Sequence, residues 1–133
     1  MKFGYIKAAT FTPKIKVADV EYNTENILSG IKLADENNAE LLVFPELCVT
    51  GYTAGDLFYT DVLLSAAKAA LIKIAQFTAD KKMLVFVGVP FKKDGLIYNT
   101  AAACANGKVL GLVPKTYLPN YNEFYEKRCF AAT

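Results

Sequence analysis

The sequence predicts a mixed α/β fold in which a partly parallel sheet carries its helices on one face. The chain has 133 residues, 53% of them hydrophobic, which is enough for the core of one domain. Two amphipathic segments of helical period alternate with short apolar runs typical of buried strands. Two turn signals, Asp94-Gly95 and Asn106-Gly107, then indicate tight hairpins. Together these observations favour parallel winding in the first half and an antiparallel meander in the second.

The first half of the chain predicts a strand, a helix and a second strand. Lys2 to Phe11 is interpreted as the first strand. Asp19 is a favoured N-cap, and the helix after it is expected to run to about Asn37. Leu41 to Phe44 is continuously apolar, which predicts a strand buried on both faces, and Pro45 ends it.

The second half predicts one more helix and three antiparallel strands. Residues 51–59 are interpreted as a loop, and Thr60 or Asp61 caps the second helix. The strands are expected at Met83–Phe91, Leu96–Ala105 and Lys108–Val113. Only two helices are then available for a sheet whose apolar strands favour cover on both faces. We therefore expect the sheet to need a further layer, from this chain or from another copy.

Composition excludes several classes of function. Histidine is absent, which removes Ser-His-Asp and Cys-His catalysis and every His-ligated metal site, so no metal is expected. The cysteines, Cys48, Cys104 and Cys129, are odd in number and widely spaced, which argues against a disulfide framework and fits a cytoplasmic protein. A net charge of +2 gives no indication of the basic surface that nucleic-acid binding needs, so no nucleic-acid partner is expected. No apolar run approaches the roughly 18–20 residues that span a bilayer, and no leader peptide is evident, so no membrane partner is expected.

Two charged residues follow predicted strands directly. Glu46 comes after the Leu41–Phe44 run, and Lys115 comes after Lys108–Val113, each preceded by a proline. Ligand sites of open α/β sheets lie at such strand ends, where a carboxylate serves as a base and an ammonium stabilises an oxyanion. Taken singly, each residue is better explained as a solvated loop residue. As a pair they indicate a site, provided that their strands are neighbours.

Other candidates carry weaker signals. Cys48 lies two residues after Glu46 and is either a nucleophile or a small buried core residue, and the core interpretation is favoured because a nearby acid raises a thiol pKa. Cys104 is interpreted as core, and Cys129 has a more basic setting without other support. An aromatic and acidic cluster lines a polar pocket or packs as a surface loop; it comprises Tyr117, Tyr121, Glu123, Phe124, Tyr125 and Glu126.

The motifs around the two strand ends resemble those of a known family. Phe44-Pro45-Glu46-Leu47, followed by Thr50-Gly51-Tyr52, resembles the first signature of the nitrilase (carbon-nitrogen hydrolase) superfamily. Val113-Pro114-Lys115 resembles the second. Residues 50–58 and 115–128 are more specific, and they resemble the glutaminase domain of bacterial glutamine-dependent NAD⁺ synthetases. The resemblance extends over essentially the whole chain.

The resemblance implies the first half of a nitrilase-like αββα four-layer sandwich and part of a Glu-Lys-Cys triad. Glu46 matches the general base, Lys115 the oxyanion-stabilising lysine and Glu123 the supporting second glutamate. The glutamine pocket is implied to include Tyr52, Tyr121 and Phe124.

The reaction implied by the resemblance is hydrolysis of the glutamine side-chain amide. A cysteine thiolate attacks the amide, ammonia leaves, and water hydrolyses the glutamyl thioester. The ammonia then passes to a separate synthetase domain that amidates deamido-NAD⁺ with ATP and Mg²⁺. No cofactor is therefore expected in this chain, glutamine is its expected substrate, and a homo-oligomer is expected for the parent protein.

The chain departs from this pattern at its end. It stops at Thr133, before the position of the family's nucleophile. We therefore expect residues 1–133 to be the N-terminal portion of a carbon-nitrogen hydrolase domain and to be inactive alone. Two alternatives remain open, namely another nitrilase-like amidase or carbamoylase, and a non-catalytic, self-associating module.

Overall fold

The computed structural model describes residues 3–133 as a five-stranded mixed sheet with two helices. The strands are β1 (Ala8–Thr10), β2 (Leu41–Val43), β3 (Leu84–Lys93), β4 (Leu96–Ala105) and β5 (Lys108–Pro114). They lie side by side in chain order. The first three are parallel, whereas β3, β4 and β5 form the antiparallel meander. The predicted fold class is confirmed.

The two helices begin at the predicted caps. Helix α1 (Val20–Glu36) starts after Asp19, whose carboxylate accepts a hydrogen bond from the Tyr22 amide at 3.1 Å. Helix α2 (Asp61–Phe77) starts after Thr60, whose hydroxyl accepts from Leu63. Each cap satisfies an amide that the first helical turn leaves unpaired.

Both helices pack on one face of the sheet. Their apolar stripes form a single core with the inward side chains of β2 and β3. Ile27 and Ile31 of α1 and Ala67 and Ile74 of α2 are fully buried there. The opposite face is open, since the side chains of Val43 and Val113 are 39% and 62% exposed. Two helices thus cover one face only, as the sequence predicts, while the nature of the further layer stays a prediction.

The hairpins also follow the prediction. Asp94 and Gly95 have φ of 51° and 80°, and Asn106 and Gly107 have φ of 52° and 76°. Two consecutive positive φ angles make the type I′ turn that matches the twist of paired strands. Residues 51–59, predicted as loop, contain a short 3₁₀ helix at Gly55–Tyr59.

The first strand is shorter than the predicted Lys2 to Phe11. Lys2 lies outside the described residues, and Phe3 and Tyr5 are 94% and 79% exposed. Only Ala8–Thr10 pairs with β2, because β2 itself is three residues long. The apolar run predicted from the sequence is thus longer than the part that pairs with β2.

A buried amide ties α1 to the segment that follows β2. The Asn23 side chain accepts from the Lys16 amide, donates to the Lys16 carbonyl, and donates to the Val49 carbonyl at 3.1 Å. The Ala18 amide donates to the Thr50 carbonyl at 2.7 Å. These bonds fix the far end of the loop that carries Glu46. Within residues 3–133, no helix has both the length and the apolar content needed to cross a bilayer.

Candidate active site

Glu46 and Lys115 meet although their strands are not neighbours. The Lys115 ammonium donates to Glu46 Oε1 at 2.8 Å. Strands β3 and β4 lie between β2 and β5 in the sheet. The chain after β2 continues along β3, where the Phe44 amide donates to the Phe86 carbonyl at 2.9 Å, and then turns over the open face. This turn brings the carboxylate to Lys115, so the two charged groups meet without the neighbouring strands that the sequence argument required.

Gly88 of β3 makes room for that turn. A Cβ at Gly88 would lie 2.3 Å from the Leu47 amide nitrogen and 2.5 Å from the Pro45 carbonyl oxygen. Both are backbone atoms, so no side chain can move aside. Leu47 itself has a φ of 49° and is fully buried. A left-handed, non-glycine residue is uncommon and is held there by its surroundings. The turn that presents Glu46 is therefore rigidly defined.

Lys115 lies between two carboxylates. Its amide donates to the Asn99 carbonyl at 2.8 Å, which continues the pairing of β5 with β4. Its ammonium also donates to Glu126 Oε1 at 2.9 Å. Burial lowers the pKa of Lys115, but the hydrogen bonds to Glu46 and Glu126 outweigh it and the pKa is raised. The side chain therefore stays a cation at neutral pH, as oxyanion stabilisation requires.

Glu126 is the buried carboxylate of the site. It opens the short 3₁₀ helix Glu126–Arg128 and is only 5% exposed. The Tyr52 hydroxyl donates to its Oε1 at 2.8 Å, beside the Lys115 bond. Partial burial, followed by the Glu126 carboxylate, raises the pKa of Tyr52, so this hydroxyl remains a donor. Among residues 3–133, Glu126 Oε2 is the one buried side-chain oxygen or nitrogen without a hydrogen-bond partner.

The structure places the other predicted residues less centrally. Glu123 is exposed and lines a cavity of about 230 Å³ together with Tyr52 and Glu126. The Tyr121 and Phe124 rings pack edge to face at 5.7 Å, with Tyr121 64% exposed. It is therefore Glu126, and not Glu123, that contacts Lys115. The roles drawn from the resemblance for Glu123, Tyr121 and Phe124 stay predictions.

Two residues of the site escaped the sequence reasoning. Glu126 appeared only as a member of the aromatic cluster, because residues 115–133 have no period that tells which carboxylate turns inward. Asn99 lies inside an apolar strand, is 4% exposed, and donates from Nδ2 to Glu46 Oε1. The sequence feature that could have revealed it is a polar residue on the same sheet face as the apolar Ala101 of β4 and Val113 of β5.

Cys48 and Cys104 are not equipped as nucleophiles. Cys48 is 2% exposed, its thiol points at the Gly88 carbonyl at 3.7 Å, and burial raises its pKa to about 12. Burial likewise raises the pKa of the Cys104 thiol to about 11. Reactive cysteines need a lowered pKa and access to solvent. The core interpretation of Cys48 and Cys104 is confirmed, and Cys129 is half-buried.

An apolar cleft adjoins the charged residues. It has a volume of about 370 Å³ and lies on the open face, with Glu46 and Lys115 at one end and Phe86, Ala101 and Val113 along it. A carboxylate, an ammonium and an apolar cleft are groups with which acyl transfer from an amide can be carried out. The described residues 3–133 contain no cluster of side chains suited to hold a metal ion.

Comparison with curated proteins gives the relatives of this chain. It is 38% identical over 128 residues to a glutamine-dependent NAD(+) synthetase of Mycobacterium bovis. The matched residues cover 96% of this chain and 19% of the relative. It is 35% identical over 130 residues to the glutamine-dependent NAD(+) synthetase of Thermotoga maritima, covering 98% of this chain and 22% of the relative. The chain thus spans about a fifth of the length of these relatives.

Comparison with solved structures agrees with the sequence comparison. A glutamine-dependent NAD(+) synthetase from Cytophaga hutchinsonii superposes with a TM-score of 0.91 and 35% identity, over 96% of this chain and 22% of that one. An amidase from Nesterenkonia superposes with a TM-score of 0.81 and 23% identity, over 100% of this chain and 50% of that one, a likeness of fold alone. The carbon-nitrogen hydrolase family profile matches residues 7–133. The chain belongs to the carbon-nitrogen hydrolase family.

Proposed function

We propose that this chain forms the base and oxyanion side of a glutaminase site that supplies ammonia for NAD⁺ synthesis. One observation carries the proposal. Lys115 is held at 2.8 Å and 2.9 Å between the carboxylates of Glu46 and Glu126, in a chain with 38% identity to a glutamine-dependent NAD(+) synthetase over 96% of its length.

The geometry supports a division of labour between the charged groups. Within residues 3–133, the hydrogen bonds that reach the Glu46 carboxylate end on Oε1. Oε2 is therefore the oxygen open to take a proton from an attacking thiol. The ammonium of Lys115, kept charged by its neighbours, stabilises the oxyanion that forms on the carbonyl oxygen when the thiolate bonds to the amide carbon. Neither step needs histidine.

The full reaction then runs in two stages. A cysteine thiol from outside residues 1–133 loses its proton to Glu46 and bonds to the amide carbon of glutamine. Glu46 returns the proton to the leaving nitrogen, and ammonia departs. Water, deprotonated by Glu46, cleaves the thioester to glutamate and free thiol. The open face of the sheet, which holds the apolar cleft, accepts the part of the domain that brings the cysteine.

Further parts of the proposal rest on the family resemblance described above. ATP and Mg²⁺ act in a separate synthetase domain and not on this chain. The parent protein is proposed to be a cytoplasmic homo-oligomer. Residues 1–133 alone are proposed to be inactive, because the nucleophile is supplied from elsewhere.

Glutamate release by the complete protein that carries this chain tests the proposal. Glu46→Gln keeps the shape of the side chain but removes the base, and Lys115→Met keeps much of its length but removes the charge. Each is expected to lower kcat by at least about 10²-fold, the scale of general-base and oxyanion contributions. Asp61→Asn is the matched control, since it removes an exposed carboxylate that pairs with Lys92 at 2.8 Å, away from the site.

The outcomes separate the alternatives. Turnover of other amides or carbamoyl compounds, without glutamine hydrolysis, would support an amidase or carbamoylase. A stable oligomer of residues 1–133 with no activity in any longer form would favour the self-associating module. Wild-type kcat in both Glu46→Gln and Lys115→Met would contradict the proposed site itself.

A further inference from the structure

We propose that Asn99 is a positioning residue that sets the distance between the base and the cation of this site. The inference rests on the proposed function, because it concerns the pairing of Glu46 with Lys115. Asn99 lies on β4, between the turn that carries Glu46 and the end of β5 that carries Lys115. Its side chain contacts Glu46, and its backbone carbonyl contacts Lys115.

The side chain of Asn99 holds the base. Its Nδ2 donates to Glu46 Oε1, the same oxygen that accepts from the Lys115 ammonium. An ionised carboxylate only accepts hydrogen bonds, so the amide nitrogen, and not the amide oxygen, must face it. Asn99 is 4% exposed, and in such a position water does not replace a lost donor readily.

The main chain of Asn99 holds the cation. Its carbonyl accepts from the Lys115 amide at 2.8 Å. The residue is thus bonded to Glu46 through its side chain and to Lys115 through its backbone. Because one rigid strand residue sets both anchors, the separation of carboxylate and ammonium does not depend on two independent loops.

Anchoring of one oxygen leaves the other for chemistry. Asn99 and Lys115 both donate to Oε1, so two donors restrain the orientation of the carboxylate. Loss of the Asn99 donor leaves Lys115 as the sole restraint, and the 41% exposed side chain of Glu46 gains rotational freedom. The expected defect lies in proton transfer and not in glutamine binding.

The decisive variant is Asn99→Leu, which preserves size and the backbone bond while removing the amide. In the complete protein we expect kcat for glutamine hydrolysis to fall roughly 10- to 100-fold, the scale of one hydrogen bond to a charged group, with KM within about twofold. Thr100→Val is the matched control. Thr100 is the next residue of the same strand, is 4% exposed, and donates to the Val89 carbonyl at 2.7 Å.

Asn99→Asp gives an independent readout that does not depend on Asn99→Leu folding. The charged groups that face this position are Glu46 and Lys115, with Glu126 behind Lys115. At neutral pH the introduced carboxylate repels Glu46 and should lower kcat further than leucine does. Protonation of the introduced carboxyl on acidification restores a donor to Glu46 in place of the amide, so activity relative to the unsubstituted protein should rise as the pH falls.

The kcat values and pH profiles of these variants decide whether Asn99 has this role. A fall in kcat for Asn99→Leu beyond that of Thr100→Val, together with the acid-dependent recovery of Asn99→Asp, supports the role. Wild-type kcat in Asn99→Leu, or Asn99→Asp activity that tracks the wild-type pH profile, overturns it. An unsubstituted protein that hydrolyses no glutamine contradicts the proposed function instead.

Discussion

Replacement of Gly88 by alanine is expected to disrupt the site by displacing the turn that carries Glu46. Gly88 lies on β3, and its Cα faces the backbone of the turn that presents Glu46. An added methyl group would start 2.3 Å from the Leu47 nitrogen, where ordinary contact begins near 3.4 Å. The turn must therefore rise by about 1.1 Å, since Gly88 is held in place by its pairing with Ala101 of β4.

That displacement acts directly on the ion pair of the proposed site. The Lys115 ammonium and Glu46 Oε1 are 2.8 Å apart, and a shift of about 1 Å breaks the hydrogen bond. Misplacement of this size typically costs about 10²-fold in rate. Overpacking should also lower the free energy of unfolding by about 1–3 kcal/mol. Both effects follow from the same two backbone contacts.

The assay is glutamate release by the complete protein, with urea unfolding in parallel. Gly111→Ala is the control, because Gly111 lies on β5 of the same sheet and no heavy atom falls within 4 Å of its added Cβ. We expect Gly111→Ala to keep wild-type kcat and stability. Wild-type kcat and stability in Gly88→Ala would refute the account of the turn.

Three more predictions concern other parts of the chain. Asn23→Leu should lower the free energy of unfolding by about 2–3 kcal/mol, because it leaves buried backbone groups unpaired. Urea titration measures this change, and a loss below about 0.5 kcal/mol would contradict the bridging role of Asn23. Lys115→Met should cost about 2 kcal/mol by leaving the Glu126 carboxylate buried without its cation, less than for a fully buried pair because Lys115 is 30% exposed. The raised pKa of Lys115 makes this contribution present below pH 10.5 and lost above it, so a deficit that grows with alkaline pH would be the contrary result. Cys48 and Cys104, with pKa values raised by burial to about 12 and about 11, should react with a thiol reagent at pH 8 only on unfolding. Rapid labelling of either of these two cysteines in the native chain, located by peptide mapping to set Cys129 apart, would disprove it.

Local signals in the sequence predicted most of the scaffold. Asp19 and Thr60 cap the helices as expected, since an N-cap needs only the residues of its own first turn. The Asp94-Gly95 and Asn106-Gly107 turns likewise follow from local backbone preference. The first strand was overextended because a strand exists only where a partner strand runs beside it.

The site itself was predicted only in part. Glu46 and Lys115 were found because each follows a strand, a feature visible in the sequence. Their route to one another over Gly88 depends on the three-dimensional path of a turn, which no spacing reveals. Glu126 and Asn99 were missed for the same reason: the direction in which a loop carboxylate or a strand amide points is decided by tertiary packing.

The most direct test of the central claim compares two nitrogen sources in one variant. NAD⁺ formation by the complete protein carrying Glu46→Gln should be lost with glutamine and kept with ammonium, because the substitution removes the base for amide hydrolysis and leaves the use of ammonia intact. Glutamine-dependent NAD⁺ formation at the wild-type rate in Glu46→Gln would contradict the assignment of Glu46 and Lys115 as the glutaminase site.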